Sequence, residues 1–186
     1  MARKRARKVR KASRPARRRA SGPKPIPTGF RTITPYLSVI GASSAIDFYE
    51  KAFGAKELRR DTTPEGKIMN ATLRIGDSLI MLSDNLMGTP MPQESSVTIH
   101  LYSRNVDKLW NQAVTAGAKV TMPLDNQFWG ERYGQLVDPF GHKWSLSTQV
   151  KMSAVERNAK MEAAMKAFSQ AEQPQQQSGQ PAQPQV

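Results

Sequence analysis

Apolar and polar side chains exchange places along most of this chain, and the interval switches between two residues and about three and a half. Over Phe30–Ile40 the period is two: Ile33, Leu37 and Val39 share one side, while Thr32, Thr34, Tyr36 and Ser38 share the other. That pattern predicts a strand. Gly41 ends it. Ile46, Tyr49 and Phe53 then recur at helical spacing, with Ser43 or Ser44 as the cap, Asp47 completing a capping box and Gly54 as the stop. Lys56–Thr62, Met69–Ile75 and Ser78–Leu82 predict three more strands, the last two joined at Gly76-Asp77. Asp84–Glu94, with Gly88, Pro90 and Pro92, is a loop.

The order then starts again. Val97–Tyr102 alternates, with Val97, Ile99 and Leu101 opposite Thr98, His100 and Tyr102. Asn105 caps a helix that buries Val106, Leu109, Trp110 and Ala113 and stops at Gly117. Lys119–Met122 is a strand and Asp125–Gly130 a loop. Tyr133–Val137 and His142–Thr148 form a hairpin about Asp138-Pro139-Phe140-Gly141, where Pro139 presets φ and Asp138 bonds the turn's own backbone. Trp144, Leu146 and Thr148 lie on one face of its outgoing strand, and Lys143, Ser145 and Ser147 on the other. The chain thus reads strand, helix, three strands, twice over, and the helix stops AFGAKEL (52–58) and TAGAKVT (115–121) resemble each other. A structural duplication follows. A last helix, about Ala154–Phe168, opens on a Ser153/Glu156 capping box, and its Val155, Met161, Ala164, Met165 and Phe168 are expected to pack on the body or on a second subunit.

Composition changes this picture at the two ends. The formal net charge is +13, yet twelve of the 28 Lys and Arg fall between Arg3 and Lys24, where there is no acid. The body is close to neutral. Residues 1–29 hold too little apolar surface to offset ordering entropy, so a disordered polybasic tail is expected, suited to nonspecific nucleic acid or an anionic surface through residues 3–24. A plain solvated tail and a targeting role are the other readings. Residues 171–186 are rich in Gln and Pro, with Ser and Gly, and a second disordered tail is expected there. The body is expected over residues 30–150 and the C-terminal helix over 151–170. With no cysteine, disulfides and thiolate metal sites are excluded. No apolar run reaches the roughly 20 residues of a membrane-crossing helix, and cytoplasmic localisation is the expectation.

The segments TPYLSVIGASSAIDFYEKAFGA (34–55), LRIGDSLIMLSD (73–84), VTIHLYSRNVDKLWNQAVTAGAKV (97–120) and QFWGERYGQLVDPFGHKWSL (127–146) resemble the vicinal oxygen chelate superfamily, most of all its PhnB-like glyoxalase/bleomycin-resistance branch. The resemblance implies an α+β fold in which two βαβββ modules curve a mixed sheet around a concave pocket, usually in a homodimer. It also implies metal ligands at the positions matching Thr34, Met81 or Ser83, Thr98 and Ser145. Hydroxyls and a thioether are poor donors for a divalent ion. The His-Ala-Glu triplet that many PhnB-like sequences carry is Asn70-Ala71-Thr72 here. No metal and no cofactor are therefore expected at that site.

Strand parity lines the expected pocket with Thr34, Tyr36, Asn70, Thr72, Met81, Ser83, Thr98, His100, Tyr102, Tyr133, Gln135 and Ser145, with Trp129 at its rim. Hydroxyls, amides and aromatic rings in a concavity suit a small organic ligand with polar groups. His100 is either a satisfied structural histidine or the candidate catalytic acid or base. His142 belongs to the turn. Arg132 is either an anion contact or a surface residue. Three functions compete: metal-free binding or sequestration of a small molecule, in the manner of bleomycin-resistance proteins; a glyoxalase-type lyase or isomerase; and a dimeric scaffold presenting polybasic arms to nucleic acid.

Overall fold

The alternating stretches do become strands, and the order is βαβββ twice. The computed structural model describes residues 25–171 apart from Gln93. The expected tails fall largely outside these residues. The first module comprises β1 (Tyr36–Val39), α1 (Ala42–Phe53), β2 (Lys56–Thr62), β3 (Ile68–Ile75) and β4 (Ser78–Asp84). The second comprises β5 (Thr98–Tyr102), α2 (Val106–Ala116), β6 (Lys119–Asn126), β7 (Glu131–Val137) and β8 (Lys143–Gln149), and α3 (Ala154–Ala171) follows. Each module builds its own four-stranded mixed sheet, ordered β1-β4-β3-β2 and β5-β8-β7-β6. In each, the first and last strands pair in parallel and the others antiparallel.

Leu37, Val39, Ala71, Leu73, Ile80 and Leu82 turn inward from the first sheet and Leu136, Trp144 and Leu146 from the second, onto Ile46, Tyr49 and Phe53 of α1 and Val106 and Ala113 of α2. The two helices pack on each other between the sheets. One polar group ties the modules together. Asp138, in the β7–β8 turn, is buried; its Oδ2 accepts from Tyr49 Oη of α1 at 2.8 Å and from Trp144 Nε1 at 2.9 Å. Its Oδ1 accepts from the Phe140 and His142 amides, both at 2.9 Å. Burial works to raise the Asp138 pKa, but the contacts from His142, Trp144 and Tyr49 outweigh it and hold the carboxyl below its ordinary value. The imidazole contact is long, His142 Nδ1 to Oδ1 at 3.8 Å, so the shorter donors carry most of this effect. Burial and the neighbouring carboxylate push the Tyr49 phenol strongly upward.

Several boundaries differ from the sequence pattern. The first strand begins at Tyr36, not Phe30, and Ile33 is 86% exposed. Pro35 has no N–H for a ladder, and Thr34 Oγ1 donates to Arg31 O in a local turn. Helix α1 is not capped by Ser43 or Ser44. It starts from Gly41, whose φ of 80° a side chain would strain, and the cap comes from Asp84 at the end of β4. Asp84 Oδ1 accepts from the Gly41 and Ala42 amides at 3.0 and 2.9 Å, while Oδ2 accepts from Ile68 N at 2.7 Å. These bonds overcome the effect of burial and lower the Asp84 pKa. Strand β6 runs on through Pro123 to Asn126, because an edge strand with register shifts tolerates proline. Asn105 does cap α2, accepting from Lys108 N at 3.0 Å, and Ser153 and Glu156 form the expected box on α3. Val155, Met161 and Met165 of α3 do not pack on the body: Val155 is 79% and Met165 62% exposed.

Candidate functional site

The face of the second sheet turned away from α2 carries a continuous polar and aromatic surface. Its rows follow the ladder: His100 beside Ser145 beside Gln135, and Tyr102 beside Ser147 beside Tyr133. Thr98 begins the row at Lys143. The His100 ring lies over β8. Its Nδ1 is 2.7 Å from Ser145 Oγ and its Nε2 is 3.1 Å from Ser147 Oγ. Both serines are thereby buried although they sit on the open face. The ring meets Tyr102 edge-on with centroids 4.4 Å apart and stacks towards Tyr133 at 5.9 Å. Trp129, in the turn before β7, stands edge-on to Tyr133 at 5.5 Å.

Glu131 closes this group. Its Oε1 accepts from Tyr102 Oη at 2.9 Å and its Oε2 from Trp129 Nε1 at 3.2 Å. The hydrogen bond and the negative charge raise the Tyr102 pKa. Gln135 Nε2 donates to Tyr133 Oη at 2.8 Å. Four rings, one carboxylate, one amide and two serine hydroxyls therefore form one surface, made of three hydrogen-bonded groups joined by ring contacts. His100 has both nitrogens engaged, so taking a proton from a ligand would require breaking a bond to Ser145 or Ser147.

The other predicted residues lie elsewhere. Tyr36, Met81 and Thr72 share one row of the first sheet, and Ser83 and Asn70 belong to the next. Thr72 and Ser83 are buried, and the Asn70 amide oxygen is buried without a donor. Tyr36 and Ser83 border a cavity of about 630 Å³ under residues 85–92, which His142 also lines. Thr34, His100 and Tyr102 border a different cavity of about 740 Å³. The single pocket expected between two half-sheets is thus divided. Arg132 does not serve the polar face: it points to the helix side and grips Asp107 of α2 through Nε and Nη2 at 2.6–3.0 Å. Glu131 and Ser147 were missed by the sequence reading. The period-two pattern carried to Glu131 would have found the first, since it shares parity with Tyr133 and Gln135; Ser147 had the correct parity beside Ser145.

The donor set does not suit a divalent ion. Thr34 is bonded to Arg31 O ahead of β1, Met81 is on the first sheet, and Ser145 lies beneath His100. Among the described residues, no three His, Asp or Glu side chains cluster as a metal site.

Paired βαβββ modules, each presenting a polar sheet face opposite its helix, define the vicinal oxygen chelate class of fold. The chain belongs to the Glyoxalase/Bleomycin resistance protein/Dioxygenase superfamily, whose family model matches residues 33–146. It is 46% identical over 127 residues to an uncharacterized protein of Mycobacterium tuberculosis, covering 64% of this chain and 75% of that protein. It is 30% identical over 138 residues to the protein YjdN of Escherichia coli, covering 62% and 93%. A PhnB protein from Bacillus cereus superposes with a TM-score of 0.56 at 19% identity, over 63% of this chain and 99% of that one. That last likeness concerns the fold alone.

Proposed function

We propose that this chain binds a small organic molecule, without a resident metal, on the polar aromatic face of its second sheet. The observation that carries the reading is the state of His100. Its nitrogens are both held by serine hydroxyls, and its ring is one wall of a surface made of Tyr102, Tyr133 and Trp129. Such a histidine positions and packs; it does not stand free as a base. Rings with Gln135 and Glu131 at their edges offer stacking plus directed hydrogen bonds, which suits a planar ligand with polar substituents. Binding or sequestration in the manner of bleomycin-resistance proteins fits this surface better than a glyoxalase-type lyase. The unpaired edge of β1, with exposed Ile40 beside it, suits a homodimer. A cytoplasmic location fits the same reading.

The test is a ligand screen by saturation-transfer NMR on the full chain, followed by Trp129→Ala and Tyr133→Ala. Hits bound by this face lose at least about tenfold in affinity in either variant, the stacking loss of one aromatic wall. Hits indifferent to both variants, or stoichiometric zinc or nickel together with turnover of the methylglyoxal–glutathione adduct, would overturn the reading.

The segregation of charge supports a second role for the segment 3–24, attraction of nucleic acid without sequence preference. It is independent of the sheet face.

A further inference from the structure

The cavity of about 740 Å³ lies at the free edge of β5, between that strand and the β3–β4 hairpin. It is separate from the polar face, although His100 and Tyr102 reach its border around the strand edge. Its walls are Ile75, Ile99, Leu101 and Leu109, apolar residues that the core covers only in part, and its floor is Phe53 and Trp144. Incompletely covered aliphatics around an open hollow leave apolar surface in contact with water, and an apolar ligand body would remove it. The volume is within the usual range for small-molecule sites, roughly 300–1,000 Å³.

The rim is charged. Arg31, from the segment ahead of β1, and Arg104, just after β5, both line it. Among the described residues, neither guanidinium has a carboxylate within salt-bridge distance. Asp77 is the one carboxylate in the lining, and it accepts from Ser78 Oγ at 3.0 Å on the hairpin turn. An apolar hollow with two unpaired guanidinium groups at its mouth selects for a molecule with an apolar body and an anionic head. The flanking basic segment cannot supply that head, because residues 3–24 contain no acid.

We propose that this cavity is a second ligand site, taking an amphipathic anion such as a long-chain or aromatic carboxylate, its body against Ile99, Leu101 and Leu109 and its head between Arg31 and Arg104. The site needs no metal, and it shares His100 and Tyr102 at its border with the polar face.

Calorimetric titration of the full chain with dodecanoate, 1-dodecanol and dodecyltrimethylammonium, each below its micelle concentration, tests it. Dodecanoate saturates at one per chain and binds about tenfold more tightly than dodecanol, the preference expected from two exposed charge contacts. Arg31→Gln/Arg104→Gln, which leaves the basic segment intact, removes that preference and leaves dodecanol unchanged. Ile75→Trp, which fills the wall, weakens both ligands while the urea midpoint stays close to the parent's. Equal affinity for the acid and the alcohol, preference for the ammonium, or dodecanoate binding unaltered in the rim variant overturns the proposal. So does sedimentation showing a dimer that Ile75→Trp dissociates with dodecanoate binding unchanged, since a second copy would then be the occupant.

Discussion

Asp138→Asn tests the junction on which both modules rest. The carboxylate is fully covered and accepts four donors: the Phe140 and His142 amides, Tyr49 Oη and Trp144 Nε1, all at 2.8–2.9 Å. Asparagine offers one acceptor oxygen. With that oxygen kept towards the two turn amides, its NH2 faces Tyr49 and Trp144. Tyr49 can rotate its hydroxyl to accept, but the Trp144 N–H is left without a partner. An orphaned buried donor costs about 1–3 kcal/mol, and the surviving bonds fall from charge-assisted strength, about 1.5–3 kcal/mol, to about 0.5–1.5. The expected loss is about 3–4 kcal/mol, roughly 10 °C in the thermal midpoint for a domain of this size. Urea unfolding followed by tryptophan fluorescence at pH 7 measures it. The pH dependence gives an independent readout. A carboxyl whose folded pKa is lowered contributes stability that is present above its unfolded value, about 3.9, and lost as pH falls through the folded value. The asparagine variant lacks that contribution, so the gap between the two proteins narrows as pH is taken from 5 towards 2. A variant within about 0.5 kcal/mol of the parent at pH 7, or a gap that does not change on acidification, refutes the reasoning.

Asp84→Ala removes the acceptor for three amides at the start of α1 and of β3, and is expected to lower stability by about 2 kcal/mol in the same urea assay. Gly134→Ala places a Cβ 2.5 Å from Trp110 Cζ3 and 3.0 Å from the Leu124 backbone; the indole must move, at about 1–3 kcal/mol, and the Trp110 emission shifts with it. Deleting residues 1–24 is expected to abolish a DNA affinity that, in the full chain, drops about a thousandfold or more between 50 and 200 mM salt; equal, salt-insensitive binding by both proteins would eliminate the tail as a nucleic-acid contact. Arg132→Gln breaks an exposed pair with Asp107 and is expected to change stability by under about 1 kcal/mol and leave ligand binding on the polar face intact, which titration of any screening hit would check.

The period-two rhythm of β5 and β8 was legible because each strand has one face on the core, and that fixes which residues share the other face. Thr98, His100 and Tyr102 fell together for this reason, as did Ser145 and Ser147. The same rhythm misled at Ile33, where Pro35 interrupts the ladder and the alternation continues without a strand beneath it. The cap of α1 was not legible at all. Ser43 and Ser44 stand where a local cap would be, but the group that serves is Asp84, forty-two residues on from Ala42. Nor could the division of the expected pocket be read. The placement of one module on the other depends on Tyr49, Asp138 and Trp144 meeting across 89 residues of chain, and no local pattern encodes that meeting.

The duplication also explains why the polar chemistry gathers on one side. In the first module the last strand ends on Asp84, and that carboxylate is committed to the α1 amides and to Ile68. Thr72 and Ser83 on its sheet face are buried. In the second module α2 carries its own cap in Asn105, and β8 ends on Thr148 and Gln149 with no acid to commit. The carboxylate there is Glu131, on the open face, where it orients Tyr102 and Trp129 instead of a helix end. Asp84 holds the backbone at a helix start and Asp138 holds it at the β7–β8 turn, while Glu131 alone among these three acids is used in orienting side chains of the open face. A ligand that binds the second face should therefore be insensitive to substitutions at Tyr36, Met81 and Ser83 within one chain, and sensitivity to them would mean that a partner subunit brings its first sheet across the site.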